Sequence, residues 1–275
     1  MIALFNNKWV DNKISLNMSD RAIQFGDGLF ETILYSNNTI HRIAMHLERL
    51  KQGCDAMRIK LPDFISNIIV CKSAIEKLIH RNQVQHQDLR IKIMVWRQEA
   101  NQAGYSSDNT SAHTLIFVKP YSIHNIKEEI SVGLSSEVKN HFWKMAPFKK
   151  LNSLPYIIAS QEKDERQLDE LIITNVNGNI SECITSNIFW YQSGSFYTPS
   201  LNTGCVAGVR RKEFIIKLKA LNYPILEVEE GIESLYNAEF AFITNSLSVK
   251  KIAKVENFKF PHSAIYESFI RKIEE

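Results

Sequence analysis

Three stretches of this 275-residue chain carry residue types and spacings that suit anion chemistry. In Gly204-Cys205-Val206-Ala207-Gly208-Val209-Arg210-Arg211, two glycines precede a run of helical character. Glycine lets the backbone come close to a ligand, and a helix start offers peptide N–H groups at the positive end of a dipole. Thr244-Asn245-Ser246 follows an apolar strand, where short hydroxyl and amide side chains can bind phosphate oxygens. His46 and Arg49, three apart, share one helix face, and arginine grips phosphate through two parallel N–H bonds. Each has a plainer counterpart. Glycine-rich turns are common, Asn and Ser form turns without a ligand, and arginines on amphipathic helices are mostly solvated. Taken singly, none of the three defines a site.

Other chemistries lose ground. The chain has no HExxH, no GxGxxG after a strand, no GxxxxGK[ST] and no GxSxG. Its eight histidines show no metal-ligand spacing, so no metal is expected. A net charge of +3, from 33 basic and 30 acidic side chains, is too even to imply nucleic acid or an anionic membrane as partner. No apolar stretch approaches the roughly 20 residues that span a bilayer. The opening residues lack the basic flank and long apolar run of a signal or transit peptide. Cysteines 54, 71, 183 and 205 form no CxxC pair and read as reduced thiols. The expectation is a soluble cytoplasmic α/β protein.

The elements that must position these residues follow from hydrophobic period. Residues 2–10 read as a strand with Asn6-Asn7 as a turn within it. Gly26-Asp27-Gly28 then punctuates the chain before a β-prone run over 29–35, closed by Asn37-Asn38. Apolar residues at 43, 47, 50, 54 and 57 predict a helix over 43–57. A second helix is expected over 63–80, and strands over 89–96 and 114–118. Together these predict a smaller α+β domain over 1–118. Lys119-Pro120-Tyr121-Ser122 is the expected linker, because proline fixes φ and removes a donor. A larger, β-rich domain is expected over 123–275. Its strands fall at 130–134, 170–174, 187–191, 195–197 and 240–244, its helices at 154–166, 210–221, 232–237 and 262–272.

An ordered set of motifs resembles the class IV aminotransferases. It comprises Asp20-Arg-Ala-Ile-Gln-Phe-Gly-Asp-Gly-Leu-Phe30-Glu-Thr32, His46-Leu-Glu-Arg49-Leu50, Lys149-Lys-Leu-Asn-Ser-Leu154 and Asp169-Glu-Leu171. It continues with Asn177-Gly-Asn-Ile-Ser-Glu182, Ser186-Asn-Ile-Phe189, Thr198-Pro199, Gly208-Val-Arg-Arg211 and Thr244-Asn-Ser246. The matches keep the family's order across most of the chain.

The resemblance implies a two-domain α/β (α+β) enzyme of fold type IV, with pyridoxal 5′-phosphate between the domains and the cofactor lysine in the larger one. It implies that Lys149 bonds covalently to the cofactor and then moves the substrate's Cα proton. The family spacing to Asn152 selects Lys149 over Lys150. Glu182 matches the carboxylate that pairs with the pyridine nitrogen. Arg49, Gly208, Val209, Asn245 and Ser246 become the phosphate cup. Arg210 departs from the threonine of many relatives, and it either adds a contact to phosphate or points outward. The family also implies a homodimer acting on a small amino substrate.

Three reactions share the first proton transfer. Branched-chain and D-amino-acid aminotransferases pass the amino group to a 2-oxo acid. The 4-amino-4-deoxychorismate lyases expel pyruvate and leave p-aminobenzoate. The segment from Trp96-Arg97 through Gly104-Tyr105-Ser106, and the turn Gly204–Gly208, are similar to lyase sequences. Ala103 departs from the arginine that lyases commonly carry there. Phe30, Arg97 and Tyr105 are the expected substrate contacts, Arg97 being similar in position to a carboxylate-binding arginine of D-amino-acid aminotransferases. A cofactor-binding protein without catalysis is the further alternative, supported by Arg210 and Ala103 and opposed by the retention of Lys149 and Glu182.

Overall fold

The structure, a computed structural model, describes residues 1–100, 104–122 and 127–274. Its internal contacts divide the chain into Met1–Asn125 with Phe148–Asn152, and Ile126–Pro147 with Ser153–Glu275.

The first unit opens on β1 (Ile2–Phe5) and β2 (Lys8–Asp11). The single strand expected over 2–10 folds back at Asn6-Asn7, whose φ angles of 47° and 60° suit the two-residue hairpin turn that asparagine tolerates. A short helix α1 (Arg21–Phe25) follows, its N-terminus capped by the Asp20 carboxylate. Then come β3 (Gly28–Ser36) and β4 (Thr39–Ile40), joined by the same turn chemistry at Asn37-Asn38. Helix α2 (Ile43–Met57) has the bounds its periodicity predicts. The helix expected over 63–80 is divided into α3 (Asp63–Ser66) and α4 (Ile68–Arg81). Asn67 leaves helical geometry at the break and caps α4 with its side chain. Strands β5 (Leu89–Arg97) and β6 (Ala112–Pro120) complete a six-stranded sheet of order β2-β1-β6-β5-β3-β4. Lys119 and Pro120 therefore close a strand, where the sequence suggested a linker.

Alternation along β3 and β5 sorts the faces of this sheet. Leu29, Glu31 and Ile33 lie opposite Val95, Ile93 and Ile91 and are buried on the side that meets α2. Phe30 and Thr32 lie opposite Met94 and Lys92 on the other side. The segment 148–152 belongs to this unit, against the expectation that the cofactor lysine sits in the C-terminal domain. The reason is backbone pairing. Phe30 donates its N–H to the Lys149 carbonyl (2.9 Å), and Leu151 donates to the Gly28 carbonyl (2.9 Å). Gly28 makes that approach feasible, since a Cβ there would stand 2.7 Å from Leu151 Cδ1 and 2.5 Å from Trp96 Cβ.

The second unit contains β7 (Glu129–Leu134), α5 (Leu154–Glu165), β8 (Glu170–Thr174), β9 (Ile180–Cys183), β10 (Asn187–Gln192) and β11 (Ser195–Pro199). It continues with α6 (Val209–Ala220), β12 (Ile225–Val228), α7 (Glu233–Tyr236), β13 (Phe240–Thr244), β14 (Val249–Val255), β15 (Phe258–Lys259) and α8 (Ala264–Glu274). Its nine strands form one sheet of order β12-β11-β10-β13-β14-β7-β8-β9, with β15 on β14. Both faces of the central strands are covered, so β10 and β13 read as continuous apolar runs. Phe189, Phe240 and Phe242 bury one face with Phe214 of α6 and Phe269 of α8. Ile188, Trp190, Ala241 and Ile243 bury the other. Each large side chain so buried contributes about 1.5–3 kcal/mol. The result is a stiff central sheet whose strand ends carry the polar residues of interest.

Candidate active site

In the second unit the polar cluster is built outward from Glu182. This residue lies on β9, 3 % exposed, and its carboxylate is held from three directions. Oε1 accepts from the Tyr156 hydroxyl (2.7 Å) and the Asn140 amide (3.0 Å), and Oε2 accepts from the Val206 N–H (3.1 Å). Burial and the Glu182 charge push the Tyr156 phenol upward, so it stays a proton donor to that carboxylate. The same two influences push the Cys205 thiol up to about 12, which removes it as a nucleophile.

Two residues after Val206 the chain reaches Gly208 and turns into α6. A Cβ on Gly208 would lie 1.9 Å from Asn187 Oδ1, so only glycine lets the helix start rest on the first residue of β10. Asn187 also donates to the Val206 carbonyl (2.9 Å). The helical ladder begins with the Lys212 N–H on the Gly208 carbonyl, so the peptide N–H groups before it stand at the positive end of the dipole. Asn187 pairs across the sheet with Thr244, the last residue of β13. The Thr244 hydroxyl is buried and has no hydrogen-bond partner among the described residues. Next comes Asn245, whose amide donates to Ser186 Oγ (3.1 Å) and whose Oδ1 accepts from the N–H groups of Leu247 and Ser248. Ser246 is the apex of that turn. Glu182, Gly208 and Asn245 are therefore linked through Val206, Asn187 and Thr244 into one wall, and Val209 and Ser246 are the next residues in the chain after Gly208 and Asn245. Arg210 turns along its own helix, 3.5 Å from Glu213 and over the Phe214 ring.

In the first unit, pairing with β3 separates the two lysines. Lys149 Nζ lies 5.1 Å from the centre of the Phe30 ring, whereas Lys150 donates to the Phe148 carbonyl (3.2 Å). Arg49 is buried and bidentate on Glu31, its Nε 2.7 Å from Oε1 and Nη2 2.5 Å from Oε2, with His46 Nδ1 2.6 Å from the same carboxylate. Burial alone would raise the Glu31 carboxyl, but the Arg49 charge and the bonds from His46 and Arg49 outweigh it and hold the group at about 2. The ion pair fixes the Arg49 guanidinium through the acid range. Burial likewise pushes the His46 imidazole below its usual value, against the pull of Glu31.

Arg97, expected to contact substrate, is hydrogen-bonded extensively within the protein. Its Nε donates to Asp27 (2.9 Å), and its two terminal nitrogens donate to the carbonyls of Arg58, Asn109 and Met57. These bonds tie β5 to the end of α2 and to the loop before β6. Asp27 also holds Arg21 (2.7 Å), which reaches the carbonyls of Gly104 and Tyr105. Tyr105 is 87 % exposed with its ring against Phe25 (5.3 Å). Ala103 falls outside the described residues.

A family profile described as amino-transferase class IV matches residues 28–255. The chain belongs to that family. The aminodeoxychorismate lyase of Bacillus subtilis (strain 168) is 24% identical over 93% of this chain and 87% of its own length. The D-alanine aminotransferase of Bacillus licheniformis is 25% identical over 90% and 85%. Among solved structures, the branched-chain aminotransferase of Thermoproteus uzoniensis with norvaline has a TM-score of 0.89 at 22% identity, covering 100% of this chain and 93% of that one. That likeness concerns the fold.

This class IV enzyme uses pyridoxal 5′-phosphate. The wall of the second unit fits that cofactor by its own chemistry. A helix start that excludes a Cβ, an orphaned hydroxyl and an Asn-Ser turn suit a phosphate, and a buried carboxylate on three donors suits a protonated pyridine nitrogen. Gly208→Ala should cost about 1–3 kcal/mol of stability, because the methyl group must displace Asn187. It should also weaken cofactor binding at least about tenfold. Thermal melts and a cofactor titration measure both.

Sequence reasoning missed Tyr156, Asn140, Asn187 and Glu31 as parts of these assemblies. Tyr156 follows Pro155 at the start of α5, and Asn187 sits inside the Ser186–Phe189 motif. Asn140 carries no local signal.

Proposed function

We propose that the chain is a lyase that releases pyruvate from 4-amino-4-deoxychorismate and leaves p-aminobenzoate, with Lys149 as its catalytic residue. The observation that carries this reading is the turn Gly204–Gly208, which is similar to lyase sequences and sets Val206 N–H on the Glu182 carboxylate. The alignment with a lyase over most of the chain supports it.

In this reading the Lys149 amine would hold the cofactor covalently and take the proton from the substrate's Cα; that carbon ends in the aromatic ring without a hydrogen, so the proton leaves with the pyruvate. Glu182, held by Tyr156, Asn140 and Val206, would pair with the pyridine nitrogen and keep it protonated. The N–H groups at Val209 and the start of α6 and the Asn245–Ser246 turn would hold the phosphate, with Arg49 the further ligand that the family resemblance implies. When bound, the cofactor supplies an electron sink for the charge left at Cα. Phe30 lines the side from which Lys149 acts, and Tyr105 is exposed enough to meet a substrate. A cytoplasmic homodimer completes the proposal.

The relatedness to D-alanine and branched-chain aminotransferases favours a second reading, amino-group transfer to a 2-oxo acid. One experiment separates the two. The purified chain is offered aminodeoxychorismate, and separately an amino acid with 2-oxoglutarate. Pyruvate and p-aminobenzoate in equal amounts are expected. Pyridoxamine phosphate formed from the amino acid, with no pyruvate from aminodeoxychorismate, would overturn the lyase.

A further inference from the structure

Strand β5 carries a half-buried lysine on the less buried of its two faces. Lys92 stands in Leu89-Arg-Ile-Lys-Ile-Met-Val-Trp-Arg97, directly across from Thr32 on β3. Pleating puts it on the same face as Phe30, opposite to the face that carries Glu31 and Arg49. Its ammonium rests on the Phe30 ring, Nζ 3.3 Å from the ring centre. It makes no hydrogen bond or ion pair among the described residues. The Lys149 amine stands 5.1 Å from the centre of that ring, and the backbone bond from Phe30 N–H to the Lys149 carbonyl fixes the segment there. Two lysine amines thus share one aromatic side chain.

We infer that Lys92 is a positioning residue for Lys149, its ammonium docked on Phe30 so that it disfavours a second positive charge on the neighbouring amine. This rests on Lys149 being the cofactor lysine, and it deepens that reading. An amine must shed its proton before it can attack an aldehyde or take a proton from Cα, and a nearby cation promotes that loss. Phe30 supplies the dock, because an aromatic face attracts a cation without neutralising it as a carboxylate would.

The coupling is visible from the other side. Partial burial first, then the charges of Lys149 and Arg90, bring the Lys92 amine down to about 8, with Glu31 pulling the opposite way. Coulomb repulsion is mutual, so Lys92 acts on Lys149 as Lys149 acts on Lys92. Within this unit the other titratable groups on the face are His113, opposite Trp96 on β6 and bonded to Glu99, and three cations: Arg90 on the same strand, Lys119 opposite it on β6, and Lys8 on β2, which pairs with Phe5. The three cations are exposed, and solvent screens them more strongly than it screens Lys92. The influence of Lys92 is present while it is protonated and fades as the pH rises past about 8.

The test uses the cofactor-loaded full chain and reads the visible absorbance of the lysine-linked cofactor across the neutral and alkaline range. Lys92→Met and Lys92→Gln should raise the protonation midpoint by about one unit, because the repelling charge is gone. Lys92→Arg should return the midpoint to the wild-type value. A purely structural role for Lys92 would move melting temperatures and leave the midpoint in place. Midpoints unchanged in both neutral variants, or an arginine variant that titrates like them, would overturn the inference. Borohydride reduction reads the underlying assumption independently: cofactor trapped on a residue other than Lys149 refutes the assignment of that lysine, and this inference with it.

Discussion

Lys149→Ala is expected to abolish covalent attachment of the cofactor and to lower turnover by at least about 10³-fold, while Lys150→Ala leaves attachment intact. The expectation follows from pairing along β3. The backbone bonds at Phe30 and Gly28 fix the register of residues 149–151, and adjacent side chains in an extended segment diverge. The Lys149 amine therefore stands at the Phe30 ring, whereas Lys150 is turned back onto the Phe148 carbonyl. Borohydride reduction followed by peptide mass mapping reads the result directly. Cofactor mass on a Lys150 peptide, with Lys149→Ala still labelled, would show that the register is one residue off.

Glu182→Gln should retain the cofactor and lower turnover by about 10² or more. The substitution preserves shape but replaces a charged acceptor with a neutral amide. An amide cannot keep a pyridine nitrogen protonated, so the electron sink weakens while the phosphate contacts stay in place. It also points an N–H₂ group at one of the present donors, Tyr156, Asn140 or Val206, so a loss of about 1–3 kcal/mol in stability accompanies the kinetic effect. Stopped-flow rates and thermal melts separate the two. A turnover within about twofold of the wild type, in a folded variant with bound cofactor, would remove Glu182 from its role.

The elements that the sequence predicts well are those whose burial pattern matches a regular period. Helix α2 is the clearest case, with its apolar residues at steps of three and four. The strands β8, β10 and β13 are likewise legible, as short apolar runs bounded by polar turns. The missed strands break that pattern for physical reasons. Strand β9, Ile-Ser-Glu-Cys, is fully buried yet half polar, because hydrogen bonds to Glu182 and Ser181 satisfy what apolar packing otherwise would. Strand β14, Val-Lys-Lys-Ile-Ala-Lys-Val, looks like surface because three lysines interrupt it, although Lys251 is buried against Glu129. Strand β12 is only four residues long and half exposed.

The site divides along the same line. Residue types at ordered spacings were enough for the family and the cofactor, because that chemistry requires an amine, a carboxylate and phosphate-binding turns in a set order along the chain, and the same order singles out Lys149 and Glu182 as the residues to test. What only the tertiary structure decided is how each side chain spends its donors. Arg97 and Arg49 look alike in sequence as exposed, ligand-seeking guanidiniums. In the fold Arg97 is consumed by Asp27 and three carbonyls, and Arg49 is clamped to Glu31. The placement of 148–152 in the first unit, and of Lys92 beside Lys149 on one ring, likewise arises from strand pairing between residues far apart in the chain. Local spacing carries no information about such partners, because a hydrogen bond or a Coulomb interaction depends on distance in space and on burial.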